Sequence, residues 1–300
     1  TINGVDIYKN RDKIKGLMGY VSQDDVLIED LTVYENLYYN AKLCFSNYSP
    51  FRLRLTVLKV LRSLGLYAIR NMRVGSPVNK KISGGQRKRL NIGLELIREP
   101  SILFLDEPTS GLSSHDSENI VDLLKELTIK GKLIYVVIHQ PSSDIFKMFD
   151  QLLILDTGGY LIYNGNPIES LNYFKSTLNL ANRSENECRT CGNINVEQIL
   201  NIVSTPVIDE YGNFTQNRKI TPYEWYKKFE THANNKAAQV GEKQSIPKIN
   251  FKIPNRIRQF GIFFRRDLQA KLANRQYVFI NLMETPILAI ILAALIRYFN

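Results

Sequence analysis

Two short apolar stretches, 101–105 and 133–138, stand on either side of a helical stretch at 114–130. Each is a continuous apolar run too short for a helix, so each reads as a buried strand. Strand, crossover helix, strand is the unit of a mostly parallel sheet, and it predicts an α/β fold for the first half of the chain. A further buried strand is expected near 17–22, closing on a loop at Gln23. Thr32 followed three residues later by Glu35 has the pattern of a capping box and predicts a helix to about Cys44. A second helix is expected from about Pro50 to Leu64, where Leu53, Val57, Val60, Leu61 and Leu64 recur at helical spacing. Apolar stretches at 152–155 and 160–163 flank Asp-Thr-Gly-Gly, which predicts a hairpin. Asn166 and Pro167 then open a short helix, as cap and first residue.

Chemistry gathers at the ends of these elements. Ser83, Gly84, Gly85 and Gln86 lead into a helix expected to reach about Arg98. Two glycines let backbone approach an anion, and their amides sit at the positive end of a helix dipole. The strand at 101–105 delivers Asp106 and Glu107 to its C-terminal end, where ligands of α/β sheets collect. Asp106 is suited to hold Mg²⁺, commonly through water, and Glu107 to polarise an attacking water in phosphoryl transfer. His139 is the first polar residue after the strand at 133–138, placed to reach a γ-phosphate. Gln23 follows its own strand in the same manner and is placed to face the metal and the lytic water.

Together these residues resemble the ATP-binding cassette. Gln23 is similar to its Q-loop, Ser83 to Gln86 to its signature, Asp106 and Glu107 to its Walker B pair, and His139 to its switch histidine. The stretches Tyr-Val-Ser-Gln-Asp-Asp at 20–25, Leu-Thr-Val-Tyr-Glu-Asn-Leu at 31–37 and Pro-Thr-Ser-Gly-Leu at 108–112 narrow the resemblance to the G (white/pigment) subfamily of ABC transporters. It implies a partial P-loop NTPase cassette over 1–176, with a helical subdomain at about 30–80. It also implies ATP and Mg²⁺ as ligands, with Gln23, Ser83, Gly84, Gly85, Gln86 and Asp106 binding, Gln23 and Asp106 facing the metal, and Glu107 and His139 catalytic. A second nucleotide-binding domain, in a homo- or heterodimer, is the implied partner. Two departures stand out: no G-x-x-x-x-G-K-[S/T] occurs in the 300 residues, and Ser113 stands where the family's D-loop aspartate is expected. The phosphate loop is therefore expected upstream of Thr1, and residues 1–300 alone are expected to be inactive. With no initiator Met and no charged-then-apolar leader, the chain reads as a piece of something longer.

The second half changes character. Residues 177–254 are rich in Asn, Glu and Lys, and read as a linker with short helices near 195–203 and 221–230. Formal net charge is +10, and residues 241–300 carry ten Lys/Arg against three Asp/Glu, so the basicity is local. Ile257, Phe260, Phe264, Leu268 and Leu272 fall on one helical face, with Arg258, Arg265, Arg266, Lys271 and Arg275 supplying charge, which is the pattern of a membrane-surface or partner-docking helix. Tyr277 then opens twenty mostly apolar residues, enough helix to match the ~30 Å hydrocarbon of a bilayer. Residues 255–300 are thus expected to form a connecting helix and one truncated transmembrane helix, with membrane lipid as partner and the cassette on the cytoplasmic side. A mean hydropathy of −0.19 excludes a polytopic membrane protein over most of the length. Three cysteines are too few for a secreted disulfide framework. Cys188 and Cys191 have the spacing of a zinc knuckle, but zinc wants four ligands, so two free thiols are the expectation. His115 and His232 receive no role.

The function this implies is ATP binding and hydrolysis powering transport across a membrane, of exporter type, with the substrate undetermined. A soluble ABC ATPase acting on nucleic acid or ribosomes is the rival. The apolar run after Tyr277 opposes it, and no nucleic-acid partner is expected. A non-catalytic cassette scaffold is a second rival, opposed by the Asp106–Glu107 pair and His139.

Overall fold

In the computed structural model the described residues are 6, 8–9, 14, 16–76, 78–178, 196–208, 213–234 and 252–299. The chain divides into two compact units, one of 1–112, 130–137 and 246–300, the other of 113–129 and 138–245.

The first unit is built on three parallel strands, β1 (Met18–Val21), β2 (Ile102–Asp106) and β3 (Leu133–Val137), in the order β1-β2-β3. Their register aligns Tyr20, Phe104 and Tyr135 in one row. The Phe104 and Tyr135 rings of that row stack at 5.2 Å. Leu103 and Leu105, on the other face of β2, are buried. Between β1 and β2 lie helices α1 (Val33–Cys44), α2 (Pro50–Ser63) and α3 (Gly84–Leu96). α1 starts where Thr32 accepts from the Glu35 amide at 3.1 Å and Glu35 reaches back to the Thr32 amide at 2.8 Å, so two orphan donors are satisfied by one pair. The three helices meet at Gly93. A Cβ there would lie 2.6 Å from Leu64 Cδ1 and 3.3 Å from Leu37 Cδ2, so glycine is what lets α3 approach so closely.

Beyond 246, the first unit continues with two helices, numbered after those of the second unit. The second unit holds α4 (Ser114–Ile129), which links β2 to β3 along the chain, and α5 (Ser143–Lys147). The expected hairpin is β4 (Leu152–Asp156) with β5 (Tyr160–Gly165), turning through Gly158 and Gly159, both at positive φ. Then come α6 (Pro167–Thr177), α7 (Val196–Val203), a hairpin of β6 (Pro206–Ile208) and β7 (Phe214–Arg218), and α8 (Pro222–Asn234). Ile199, Val203 and Trp225 join Phe146, Ile162, Leu171 and Phe174 in one buried cluster, with the Trp225 and Phe174 rings edge to face at 5.3 Å. Arg218 pairs with Asp156 at 2.7 Å and ties β7 to the β4–β5 turn.

Helix α9 (Arg256–Ala273) packs on α1 in the first unit. Ile262 is buried with Leu31 and Tyr39, Tyr39 donates to Gln269, and Gln269 donates to Glu35. Its opposite face, Ile257, Phe260, Phe264, Leu268 and Leu272, is exposed. Asn274 ends α9, and its Oδ1 accepts from the Tyr277 amide at 3.0 Å, inside the first turn of α10 (Arg275–Phe299). α10 runs on through Pro286, and by length and composition it can cross a membrane.

Candidate active site

β2 is flanked by a strand on each side, so its C-terminal end is a fixed point in the sheet. It delivers Asp106 and Glu107 there, both half-buried. The Glu107 amide donates to Val137 O at 3.0 Å, holding the residue at φ 42°. That left-handed conformation costs a non-glycine residue on the order of 1 kcal/mol. Glycine would relieve the strain but could not supply the carboxylate.

Gln23, two residues past β1, donates from Nε2 to Glu107 Oε2 at 2.9 Å. A carboxylate only accepts, so the amide must turn its NH₂ toward Glu107, which leaves Gln23 Oε1 free to meet a cation. Tyr20 donates its hydroxyl to Asp106 Oδ2 at 3.3 Å. The Tyr20 phenol is held above its ordinary range by desolvation and then by the Asp106 charge and hydrogen bond, so it stays a donor. The structure thus brings Gln23, Asp106 and Glu107 together.

Among the described residues no three His, Cys, Asp or Glu side chains cluster as a cage for a metal. Two carboxylates and an amide oxygen are instead an incomplete set of hard donors. Such a set fits Mg²⁺, which keeps several waters and takes phosphate oxygens alongside one or two protein ligands.

The signature residues start α3. Ser83 Oγ accepts from the Gln86 amide at 3.2 Å, and Gln86 Oε1 accepts from the Ser83 amide at 2.9 Å, a second capping box. The amides of Gly84 and Gly85 have no acceptor within the helix and form its positive end. His139 belongs to the second unit and is exposed, two residues past the end of β3. Ser113 caps α4, its Oγ accepting from the Asp116 amide at 3.2 Å. Cys188 and Cys191 lie outside the described residues.

Sequence reasoning assigned nothing to one group that the structure places beside the site. From α3, Lys88 donates to Gln23 O, and Asn91 reaches Ser22 O at 3.5 Å and the Val26 amide at 3.4 Å. Arg87 pairs with Asp25 at 3.1 Å with both side chains largely buried. Among the described residues none donates a hydrogen bond to Asp25 Oδ1, which lies 3.7 Å from Lys88 Nζ, a charge contact only. The available signal was a polar stripe, Lys88, Asn91 and Glu95, at helical spacing in a helix that buries Leu90, Ile92 and Leu96.

A family profile described as ABC transporter matches residues 1–110, which include Gln23, the signature, Asp106 and Glu107. A second, described as ABC-2 type transporter, matches residues 139–186. The chain is 42% identical over 167 residues to ABC transporter G family member 28 of Arabidopsis thaliana, covering 55% of this chain and 15% of that protein. It is 43% identical over 157 residues to the broad substrate specificity ATP-binding cassette transporter ABCG2 of Bos taurus, covering 52% of this chain and 24% of that one. ABC transporter G family member 24 of Dictyostelium discoideum is 41% identical over 178 residues, or 58% of this chain and 15% of the relative. The chain therefore spans between 15% and 24% of the length of these relatives. In motifs, α/β fold and matched residues, the chain is similar to ABC transporters, and to those of the G family in particular.

Proposed function

We propose that the intact protein containing these residues binds MgATP and uses its hydrolysis to drive transport across a membrane. The observation that carries this reading is the Gln23–Glu107 contact of 2.9 Å, beside Asp106 at the end of the central strand. Glu107 takes the proton of the attacking water, and its fixed backbone keeps the carboxylate at one place. Gln23 holds that carboxylate through Nε2 and presents Oε1 to the metal side. Asp106 and Gln23 would hold Mg²⁺, which neutralises charge on the phosphate oxygens when bound. His139 serves the γ-phosphate. Ser83 to Gln86 present a helix N-terminus to the nucleotide of a second cassette, in a homo- or heterodimer. The names of its relatives support a transporter; in our reading it is of exporter type with the cassette on the cytoplasmic side, α9 lying along the membrane surface by its exposed apolar face and α10 entering the bilayer.

In this reading the 1–176 region is the cassette, 177–254 joins it to the membrane part, and 255–300 begins that part. Residues 1–300 contain no G-x-x-x-x-G-K-[S/T] and are expected not to turn ATP over by themselves. The test is Mg²⁺-dependent ATPase activity of the intact protein with Glu107→Gln. Glutamine keeps an oxygen to accept from Gln23 but cannot take a proton, so kcat should fall about 10²–10⁴-fold with ATP still bound. Turnover at the parent rate would remove Glu107 from its role.

A further inference from the structure

The polar stripe on α3 lies outside the motifs, yet it touches the loop that carries Gln23. We propose that Lys88, with Asn91 one turn along, is a positioning residue that sets the Gln23 amide against Glu107. This rests on the reading of Glu107 as the residue that activates water.

Gln23 is exposed, and its side chain alone has several rotatable bonds, so its place beside Glu107 depends on where its backbone is held. β1 ends at Val21, and ladder bonds no longer fix the chain beyond it. α3 replaces that support. Lys88 binds the carbonyl of Gln23 itself, and Asn91 brackets it, taking Ser22 O on one side and the Val26 amide on the other. Lys88 is largely buried, and its ammonium is shared between Gln23 O and the Asp25 carboxylate. A buried ammonium with both an anion and a carbonyl in reach is costly to remove, so it acts as a fixed anchor rather than a surface charge. Arg87 completes the clasp by pairing with Asp25 from the preceding position. The grip therefore runs from a rigid helix, through the Gln23 main chain, to the Gln23 side chain and Glu107. The same helix begins with the signature, so whatever turns α3 also moves Gln23.

The experiment uses the intact protein with Lys88→Met, which keeps the length of the stem without the ammonium, and Lys88→Arg, which restores a donor. Amide hydrogen exchange is measured without nucleotide, and kcat and KM for ATP are measured with Mg²⁺. Lys88→Met should raise exchange over 22–26 about tenfold and leave the rest of α3 and β1 protected. It should lower kcat about tenfold with KM within threefold, and Lys88→Arg should recover most of both. In a Gln23→Ala background, Lys88→Met should lower kcat less than twofold further, because the residue it acts through is gone. Parent-like exchange over 22–26, a full tenfold loss on top of Gln23→Ala, or exchange rising throughout α3 and β1 would each overturn the proposal. Glu107→Gln in parallel separates the two readings. If it turns over at the parent rate, the water-activating assignment falls, and the catalytic part of the proposal with it. If it is inactive while Lys88→Met keeps the parent rate, only the positioning role falls.

Discussion

Replacing Ile287 by arginine tests whether α10 lives in a bilayer. The helix has 25 residues, which at 1.5 Å per residue is about 37 Å, slightly longer than a ~30 Å hydrocarbon core. Its most apolar stretch has a mean hydropathy of 2.1 and holds no buried residue, so none of the described residues covers it. Ile287 is the central residue, about 18 Å from either end, too deep for an arginine to reach the headgroups without dragging water with it. On insertion scales an isoleucine contributes roughly −0.5 kcal/mol at mid-helix and an arginine roughly +3, a change of about 3.5 kcal/mol, or a few hundredfold in partitioning. Gln276→Arg, in the first turn, should change partitioning by less than about tenfold, since a basic residue there sits at the interface. The assay is flotation of residues 1–300 with anionic liposomes, scored by the fraction retained after alkaline extraction. A chain ending at Pro254 serves as the baseline. If parent, Ile287→Arg and the shortened chain behave alike, and the parent is monomeric without detergent, α10 is a soluble helix. A soluble ABC ATPase would then become the better reading.

Two further outcomes follow from packing and burial. Gly93→Val should destabilise the α1–α3 helices by about 1–3 kcal/mol, because its side chain would enter space held by Leu64 and Leu37, and the gain in helix propensity is only a few tenths; hydrogen exchange in α3 measures it, and parent-like protection would contradict the packing. Cys44 is buried and its thiol is pushed from 9.0 up to about 11, chiefly by desolvation. Its thiolate at pH 8 should be about a hundredfold scarcer than in the unfolded chain, so alkylation mapped to Cys44 should be slow by that factor. Because the folded value is the higher one, the neutral thiol's contribution is complete below pH 9 and is lost as pH rises toward 11, about 2–3 kcal/mol in all.

The elements that the sequence announces are those whose signals are local. Thr32 with Glu35 and Ser83 with Gln86 each satisfy a helix start within four residues, so the pattern can be read directly and the structure shows both capping boxes. The β4–β5 hairpin is equally local, since two successive glycines at positive φ define its turn. By contrast, β6 and β7 are only three and five residues long, mix strand formers such as Val207 and Ile208 with Pro206, Gln216 and Asn217, and shift register between Pro206 and Ile208. What holds that hairpin beside α7 and α8 is distant: Trp225 is fully buried against Phe174, and Arg218 reaches Asp156, 62 positions earlier. A polar, Asn-rich stretch conceals such a core because a few large side chains, well separated in sequence, do the burying.

The site divides along the same line. Strand ends are legible, because an apolar run closing on Asp106 and Glu107 marks both the strand and the edge where it stops. Gln23 can be placed the same way. What the sequence does not reveal is how the loop after β1 is held, since Lys88 lies 65 positions from Gln23 and Asn91 lies 69 from Ser22. From sequence alone, Arg87, Lys88 and Arg89 receive no role. Burial separates them: Arg87 is 6% exposed and paired with Asp25, so the face is an interior one. A charge placed there without its partner would cost several kcal/mol. The partner residue, Asp25, sits in the very loop that carries Gln23, so the interaction that makes the buried charges tolerable also fixes the loop.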